Sequence, residues 1–337
     1  MTTGTAAERP IFVVGCPRSG TTLLQLMLHS HPRIAIPPET RFMLDIYEHR
    51  LEFGDLTDPA NRSRLAKAIT GPKSTRFHEL GLDAGEVNRL ITDAPPTLGS
   101  ALGTVLQAYA GRFGKPRWGD KRPAYVMHMD ALRRLFPTAQ FVHLVRDGRD
   151  CVASLKSMPW YHEDSHHAAA TWSRAIDLGR KYARTMPAGS YHELRYEDLI
   201  TRPEQELTAL CDFLGEEFHP AMLQPDKAAG IAVPGRKTWH TGTHEAVNSA
   251  RAGTWRDRLD PWEISLCETV LAGGLRHHGY ELTGAPRPDA ALLLRYRRTA
   301  AERRGSLAKR ILRDQLVRRR EPGAVSYEFS PSPSLAS

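Results

Sequence analysis

The chain has 337 residues, 41% of them hydrophobic and 25% charged, which is the composition of an ordinary soluble globular protein with one large core. Four widely spaced cysteines without a C-x-x-C pair exclude a disulfide framework and a zinc site. Because the sequence has no signal-like N-terminus and no apolar run of membrane length, we expect a cytoplasmic protein.

The first predicted elements are a buried strand in PIFVVG and an amphipathic helix in TTLLQLMLHSHP. The loop between them, GCPRSGTT, directs backbone N–H groups and a helix N-terminus at an anion. It differs from a nucleotide-binding P-loop, because Thr21 stands where the lysine is required and Arg18 supplies a cation three positions earlier. A planar guanidinium beside hydroxyls and glycines suits an anion that offers two oxygens.

A helical insertion is expected from about residue 45 to residue 114, before a second strand–helix unit in AQFVHLVRDGRDCVASLKS. Its strand is predicted over about residues 140–145, and its helix begins at about Asp147. Arg146 then lies at the end of the strand, and Ser154 lies about two helical turns further on. Such a pair can bind a second, separate phosphate.

The third unit is a strand in SYHELRYEDLI and the amphipathic helix EQELTALCDFLG, which Gly215 ends. Alternating strands and helices predict an α/β fold, a doubly wound and mainly parallel sheet of the P-loop type flanked by helices. We expect an extended loop over residues 221–255 and a last core helix in WEISLCETVLAGGLRHHG. These elements form one domain over residues 1–284, followed over residues 285–337 by a basic amphipathic helix and a disordered tail, SPSPSLAS.

The basic helix explains the net charge of +8, because residues 287–320 carry 12 basic and three acidic side chains. Its apolar residues fall near helical spacing, which favours packing on the domain or on a partner subunit. A homodimer is therefore one of the oligomeric states that the sequence leaves open. Peripheral contact with an anionic membrane, or with an acidic acceptor, also stays open. Nucleic acid is not expected as a partner, because no recognition motif accompanies the charge.

Five motifs in order, GCPRSGTTLL, PPETR, GDKRP, FVHLVRDGRDCVAS and RYEDLI, resemble the PAPS-dependent sulfotransferase family. Within it, the sequence is most similar to the tyrosylprotein sulfotransferases and their bacterial relatives, from about Ile11 to Tyr280. The family's co-substrate is 3′-phosphoadenosine 5′-phosphosulfate (PAPS), and PAP is the product. Two phosphate sites agree with this resemblance, because they suit a 3′,5′-bisphosphorylated nucleotide better than ATP. The Ala- and Arg-rich composition indicates a bacterial source.

The resemblance implies roles for individual residues. Glu39 matches the proposed catalytic base, Lys121 matches a lysine near the transferred sulfuryl group, and Arg18 is a further catalytic cation. The residues that match cofactor-binding positions are Pro17, Arg18, Ser19, Gly20, Thr21 and Thr22 for the 5′-phosphosulfate, Arg146 and Ser154 for the 3′-phosphate, and Tyr196 for the nucleotide.

Two positions depart from the family pattern. Met158 occupies the place of a basic 3′-phosphate ligand, for which Lys156 is the alternative. Thr254 occupies the place of a lysine before the tryptophan, and we count Arg251 among the cofactor-binding residues for this reason. The candidates that replace the lysine are Arg251, Arg256 and Lys237.

The expected function is transfer of the sulfuryl group from PAPS to a hydroxyl of a small-molecule phenol, a natural product, a carbohydrate or a glycolipid. We expect in-line displacement, with Glu39 as general base and no metal. Tyrosine sulfation of a peptide or protein is the first alternative, and a P-loop kinase or NTPase is the second. His143 and His128 are alternatives for the base. A polar loop, YHEDSHH, is expected over the acceptor pocket, with Trp160, Tyr161 and Trp239 as candidates for its lining.

Overall fold

A five-stranded sheet forms the centre of the computed structural model, which describes residues 9–227 and 251–328. Its strands are β1 (Ile11–Gly15), β2 (Ile34–Ala35), β3 (Arg117–Lys121), β4 (Gln140–Val145) and β5 (Tyr191–Arg195). They lie in the order β2-β3-β1-β4-β5, and every neighbouring pair is parallel. The chain adds strands on both sides of β1, so the loops after β1 and β4 meet at the switch point of the sheet, where ligands bind in open α/β folds.

Helices cover both faces of this sheet. In chain order, those of the described residues are α1 (Thr21–Ser30), α2 (Phe42–Glu48), α3 (Pro59–Thr70), α4 (Ala84–Asp93), α5 (Leu98–Gly111), α6 (Met129–Leu135), α7 (Gly148–Lys156), α8 (Ser165–Thr185), α9 (Tyr196–Thr201), α10 (Pro203–Leu214), α11 (Pro261–Val270), α12 (Ala272–His277) and α13 (Ala290–Arg318). No helix of the described residues has the length and apolar character that crossing a lipid bilayer requires.

Alternate residues of β1 face the two halves of the core. Phe12 and Val14 pack in the cluster that contains residues of α5, α6 and α8, whereas Ile11 and Val13 pack in the cluster that contains residues of α1 and α10. All residues of β1 and β4 are buried. A strand covered on both faces usually has a nearly continuous apolar run, and this is why such runs predict these two strands.

The predicted fold class is confirmed: a parallel sheet lies between helices, and the three predicted strand–helix units are present. The predicted insertion contains α3, α4, α5 and most of α2. Gly215 follows α10 in the left-handed region with a φ of 76°, where glycine lacks the penalty that a Cβ imposes.

Three differences from the predictions concern β3, the YHEDSHH segment and the last core helix. β3 was not predicted, because RWGDK is polar, yet all five of its residues are buried. The prediction of a polar loop in YHEDSHH is wrong for His166 and His167, because both residues lie in the first turn of α8. Asp164 accepts a hydrogen bond from the backbone N–H of His167 at 3.0 Å and so begins this helix. The expected last core helix is two helices, α11 and α12, which are separated at Leu271.

The basic helix α13 packs on the body of the protein. Its buried side chains are Tyr296, Thr299, Ala300 and Leu307. Near its end, Asp314 lies 2.6 Å from the guanidinium of buried Arg50. Lys237, Trp239, the tail SPSPSLAS and most of the expected loop over residues 221–255 lie outside the described residues.

The segment that follows α13 crosses helix α5. The backbone N–H of Tyr327 donates to the carbonyl of Leu135 at 2.6 Å. Its ring packs against Trp118 and Phe136, with the ring centroids 5.6 Å apart in each pair. A Cβ at Gly99 would lie 2.4 Å from the Tyr327 nitrogen, so this crossing requires glycine in α5.

Candidate active site

The loop after β1 begins with a tight turn. The backbone N–H of Ser19 donates to the carbonyl of Cys16 at 3.1 Å, Pro17 takes the turn position that proline favours, and Arg18 follows with a φ of 71°. A positive φ costs a residue with a Cβ roughly 1–2 kcal/mol, and such strain is typical of functional sites. The Ser19 hydroxyl is buried and has no hydrogen-bond partner among the described residues. It is therefore available to a ligand of this loop.

Tyr196 packs directly on the same loop. Gly20 precedes α1 with a φ of 95°, and a Cβ there would lie 2.4 Å from the Tyr196 ring. The guanidinium of Arg146 lies over this ring, 4.6 Å from its centroid. Since these residues follow β1, β4 and β5, the ends of three neighbouring strands converge here.

The two predicted phosphate sites lie against each other. Arg18 Nε donates to Ser154 Oγ at 3.0 Å, and Arg146 Nη1 donates to the backbone carbonyl of Arg18 at 3.2 Å. Arg146 Nε is buried and has no hydrogen-bond partner in the described part of the chain. The Arg18 side chain therefore points to the residues that the resemblance assigns to the 3′-phosphate. The sequence did not predict this direction of the side chain.

Positive charge is concentrated around this contact. Burial, and then repulsion from Arg146, Arg251 and Arg258, lowers the pKa of Arg18 to about 10. Asp150 offsets part of this charge, since its carboxylate lies 3.5 Å from Arg146. Guanidinium groups remain protonated at neutral pH, so an anion between them relieves their repulsion. The cluster is therefore suited to a negatively charged ligand.

At the two departures from the family pattern, the structure shows what Thr254 and the expected substitute Lys156 contact. Thr254 Oγ1 donates to Asp150 Oδ1 at 3.1 Å and so ties its segment to α7. Lys156, the expected substitute at the first departure, lies 2.7 Å from Glu263 at the start of α11. Its ammonium thus has a carboxylate partner away from the Arg18–Ser154 contact.

Arg258 is a cation of this site that the sequence analysis missed. It donates to Ser157 Oγ at 2.7 Å and to the carbonyl of Ala153 at 3.2 Å, at the turn of α7 that holds Ser154. No local pattern in TWRDRLD distinguishes it from Arg256, whose guanidinium lies over the Trp255 ring at 4.5 Å. Only the fold brings this residue to α7.

The predicted catalytic base and lysine lie side by side next to the loop. Lys121 Nζ is 3.5 Å from Glu39 Oε2 and donates to Thr22 Oγ1 at 3.3 Å. Lys121 is buried at the end of β3, and this burial lowers its pKa, whereas the Glu39 side chain is 22% exposed. The carboxylate can therefore meet a ligand from solvent, while the ammonium lies between it and the loop.

Asp120 holds these two residues in place and was also missed. Its carboxylate accepts hydrogen bonds from Thr40 Oγ1 at 3.2 Å, from the Tyr125 hydroxyl at 2.5 Å and from the backbone N–H of Lys121 at 2.8 Å. Thr40 follows Glu39 in the chain. The Asp120 carboxylate therefore fixes the chain next to Glu39 as well as the backbone of Lys121. Burial raises the pKa of Asp120 to about 6.

The histidines that were alternatives for the base have other contacts. His143 Nδ1 lies 2.7 Å from the Tyr191 hydroxyl, and His128 Nε2 lies 3.1 Å from a nitrogen of Arg310. Burial lowers the pKa of His128 to about 3, so it is neutral at physiological pH. Over residues 9–227 and 251–328 there is no group of three or more His, Cys, Asp or Glu arranged to hold a metal ion.

Two aromatic residues follow α7 in the chain. Trp160 is 43% exposed and makes an edge contact with Tyr161 at 6.1 Å between ring centroids. The Tyr161 hydroxyl is buried without a hydrogen-bond partner in the described residues, and burial raises its pKa to about 12. Their role as the lining of an acceptor pocket stays a prediction.

A parallel α/β sheet with an anion-binding loop and a cluster of guanidinium groups at its switch point defines an anion-binding protein of the P-loop-like class. The model of the sulfotransferase family matches residues 10–220, which is more than half of the chain. The chain belongs to the sulfotransferase family, as the motifs predicted, and the kinase or NTPase alternative is not supported. Arg251 and Arg258 lie beyond the matched residues.

Individual relatives agree with this family. Protein-tyrosine sulfotransferase 1 of Danio rerio is 27% identical over 304 residues, which cover 86% of this chain and 78% of that protein. Nodulation protein NoeE of Sinorhizobium fredii is 29% identical over 309 residues, which cover 84% of this chain and 68% of that protein. The sulfotransferase domain of the Synechococcus PCC 7002 olefin synthase has a TM-score of 0.57 at 24% identity, over 82% of this chain and 97% of that one. This structural likeness shows the shared fold.

Proposed function

We propose that the protein transfers the sulfuryl group of PAPS to a hydroxyl of an acceptor and releases PAP. The observation that carries this proposal is the contact between the two predicted phosphate sites, in which Arg18 donates to Ser154 and Arg146 donates to the carbonyl of Arg18. A ligand with phosphates at both its 3′ and 5′ positions matches two anion sites on neighbouring loops. A nucleoside triphosphate carries its charge on one chain of phosphates, which matches this pair less well.

The residues of the site fit such a nucleotide. The buried, unpartnered Ser19 hydroxyl and the N-terminus of α1 suit the 5′ group, together with Pro17, Gly20, Thr21 and Thr22 of the same loop. Arg146, with its unpartnered Nε, suits the 3′-phosphate, and we assign Ser154 and Arg251 to the same part of the nucleotide. Tyr196 lies between the two sites and suits contact with the nucleoside. When bound, PAPS supplies an activated sulfuryl group.

Three side chains have the chemistry for the transfer. Glu39 accepts the acceptor's hydroxyl proton while the new O–S bond forms and the bond to the phosphate oxygen breaks. Lys121 and Arg18 offset the negative charge that grows on that leaving oxygen. The sulfuryl group carries fewer charges than a terminal phosphate, so we propose transfer without a metal ion, by analogy with phosphoryl transfer.

We propose a small-molecule phenol, a natural product, or a carbohydrate or glycolipid as the acceptor. Exposed Trp160 beside Tyr161 supports an aromatic acceptor, since offset or edge contacts with its ring are available there. The names of the tyrosine sulfotransferase relatives favour the alternative, a tyrosine in a peptide or protein.

Calorimetric titration with PAP, compared with ATP and Mg²⁺, tests the proposal. We expect PAP to bind tightly and its affinity to fall at least about tenfold in Arg18→Ala and in Arg146→Ala, because each removes a charge-assisted contact. Binding of Mg-ATP without binding of PAP overturns the proposal. Release of PAP from PAPS in the presence of phenols, sugars or tyrosine peptides then separates the acceptor classes.

A further inference from the structure

Helix α13 has a side that is exposed, with no packing against the body over residues 9–227 and 251–328. At about 100° per residue, one side of this 29-residue helix carries a series that we call the outer face. The residues of this face that matter here are Leu294, Arg298, Lys309, Leu312, Leu316 and, just beyond the helix, Arg319. The inner face, which includes Tyr296 and Leu307, packs on the body.

The outer face exposes large apolar side chains. Leu294 is 49% exposed, Leu312 is 58% exposed and Leu316 is 53% exposed, whereas Leu307 on the inner face is 8% exposed. The exposed leucines add nothing to the packing of the inner face on the described part of the chain. Such an exposed apolar series indicates a partner.

The charge of the helix is directed outward. Residues 290–320 contain 11 Lys and Arg and two acidic residues, and all but one of the basic side chains are exposed. One of the two acids, Asp314, turns inward to Arg50 at 2.6 Å. The solvent side therefore combines leucines with a dense positive charge.

The helix is fixed before any partner arrives. Arg310 Nη2 donates to the carbonyl of Met127 at 2.6 Å, and Arg295 lies 2.5 Å from Asp164 at the start of α8. Beyond the helix, Glu321 bonds Arg134 at 2.7 Å. A partner thus meets a rigid face, and binding requires no folding of the helix.

From these observations we propose that the outer face of α13 binds the surface of an anionic lipid bilayer. Arginine and lysine bind acidic headgroups electrostatically, while leucines of an amphipathic helix enter the boundary between headgroups and acyl chains. Long basic side chains can keep their stems on the apolar region and their charges at the headgroups. A second copy of this chain is disfavoured as the occupant, because two outer faces would bring like charges together.

Vesicle co-sedimentation of the full chain tests this proposal. We expect binding to phosphatidylcholine vesicles that contain about 30% phosphatidylserine, little binding to pure phosphatidylcholine, and a marked loss when salt rises from about 0.1 M to about 0.5 M. The triple variant Arg298→Gln, Lys309→Gln, Arg319→Gln should lower the partition coefficient at least about tenfold. A matched variant of exposed cations on the body, Lys67→Gln, Lys73→Gln, Arg184→Gln, should stay within about twofold.

The leucines give an independent test, since their exposure makes substitution safe for folding. Leu312→Ser with Leu316→Ser should also lower partitioning about tenfold on anionic vesicles. The proposal is overturned if the full chain stays in the supernatant, if neutral vesicles bind it equally, or if the body variant loses as much binding as the outer-face variant. A dimer in analytical ultracentrifugation that the leucine pair abolishes would instead assign this face to a second copy.

Discussion

Arg18 and Ser154 are 136 positions apart in the chain, yet Nε of the first donates to Oγ of the second at 3.0 Å. This hydrogen bond joins the loop after β1 to the second turn of α7. Because of this hydrogen bond, a ligand that binds at the loop changes the surroundings of Ser154, and a ligand that binds at Ser154 changes those of the loop. The two halves of the proposed nucleotide site are therefore coupled through one side chain, and substitutions there should affect both phosphates.

Arg18 allows backbone strain to be separated from ligand binding. Arg18→Gly and Arg18→Ala both remove the guanidinium, so each should weaken PAP at least about tenfold. Only glycine relieves the strain of the positive φ of 71°. The free energy of unfolding of the glycine variant should therefore be about 1 kcal/mol higher than that of the alanine variant. Chemical denaturation of both variants measures this difference. Equal stabilities would show that the turn is unstrained.

Glu39→Gln should lower kcat at least about 10²-fold and leave PAP affinity within about twofold, because the amide cannot accept the acceptor's proton. Steady-state kinetics with PAPS and calorimetry with PAP measure the two effects. Glu48→Gln, at an exposed carboxylate on α2, is the matched control and should retain normal turnover. Near-normal kcat in Glu39→Gln removes this residue from the mechanism.

Arg258, rather than Lys156, should replace the basic ligand that is absent at Met158. Arg258→Gln should weaken PAP about tenfold, because its guanidinium lies at the turn of α7 that holds Ser154. Lys156→Gln should leave PAP affinity unchanged, since its ammonium pairs with Glu263 at 2.7 Å. Calorimetry of the two variants decides between them, and the reverse order of effects would restore the assignment made from sequence.

Asp120 should make stability fall as pH rises. Its pKa is about 6 in the folded protein and near the ordinary value of 3.8 when unfolded, so between these values the folded state holds the extra proton. The free energy of unfolding therefore decreases as pH rises from 4 to 6, by about 2 kcal/mol from this buried group. Comparison with Asp120→Asn, in denaturation at several pH values, isolates this contribution. Parallel pH profiles of the two proteins would contradict it.

The sequence predicts what is periodic or apolar and misses what depends on long-range pairing. β1 and β4 follow from apolar runs, and Gly215 follows from the geometry of a helix end. β3 cannot be found in this way, because Asp120 and Lys121 lie in a polar segment that only becomes a strand between β2 and β1. Arg258 reaches α7 through a fold that its neighbours in sequence do not indicate.

The crossing of α5 by the segment with Tyr327 has a consequence for synthesis. During translation, Trp118 and Phe136 leave the ribosome long before the ring that packs against both of them. This apolar surface of the nascent chain therefore stays exposed, or is bound by a chaperone, until almost all of the protein has been made. Truncations before Tyr327 should thus yield protein that aggregates during expression, even though every residue of the proposed active site is present.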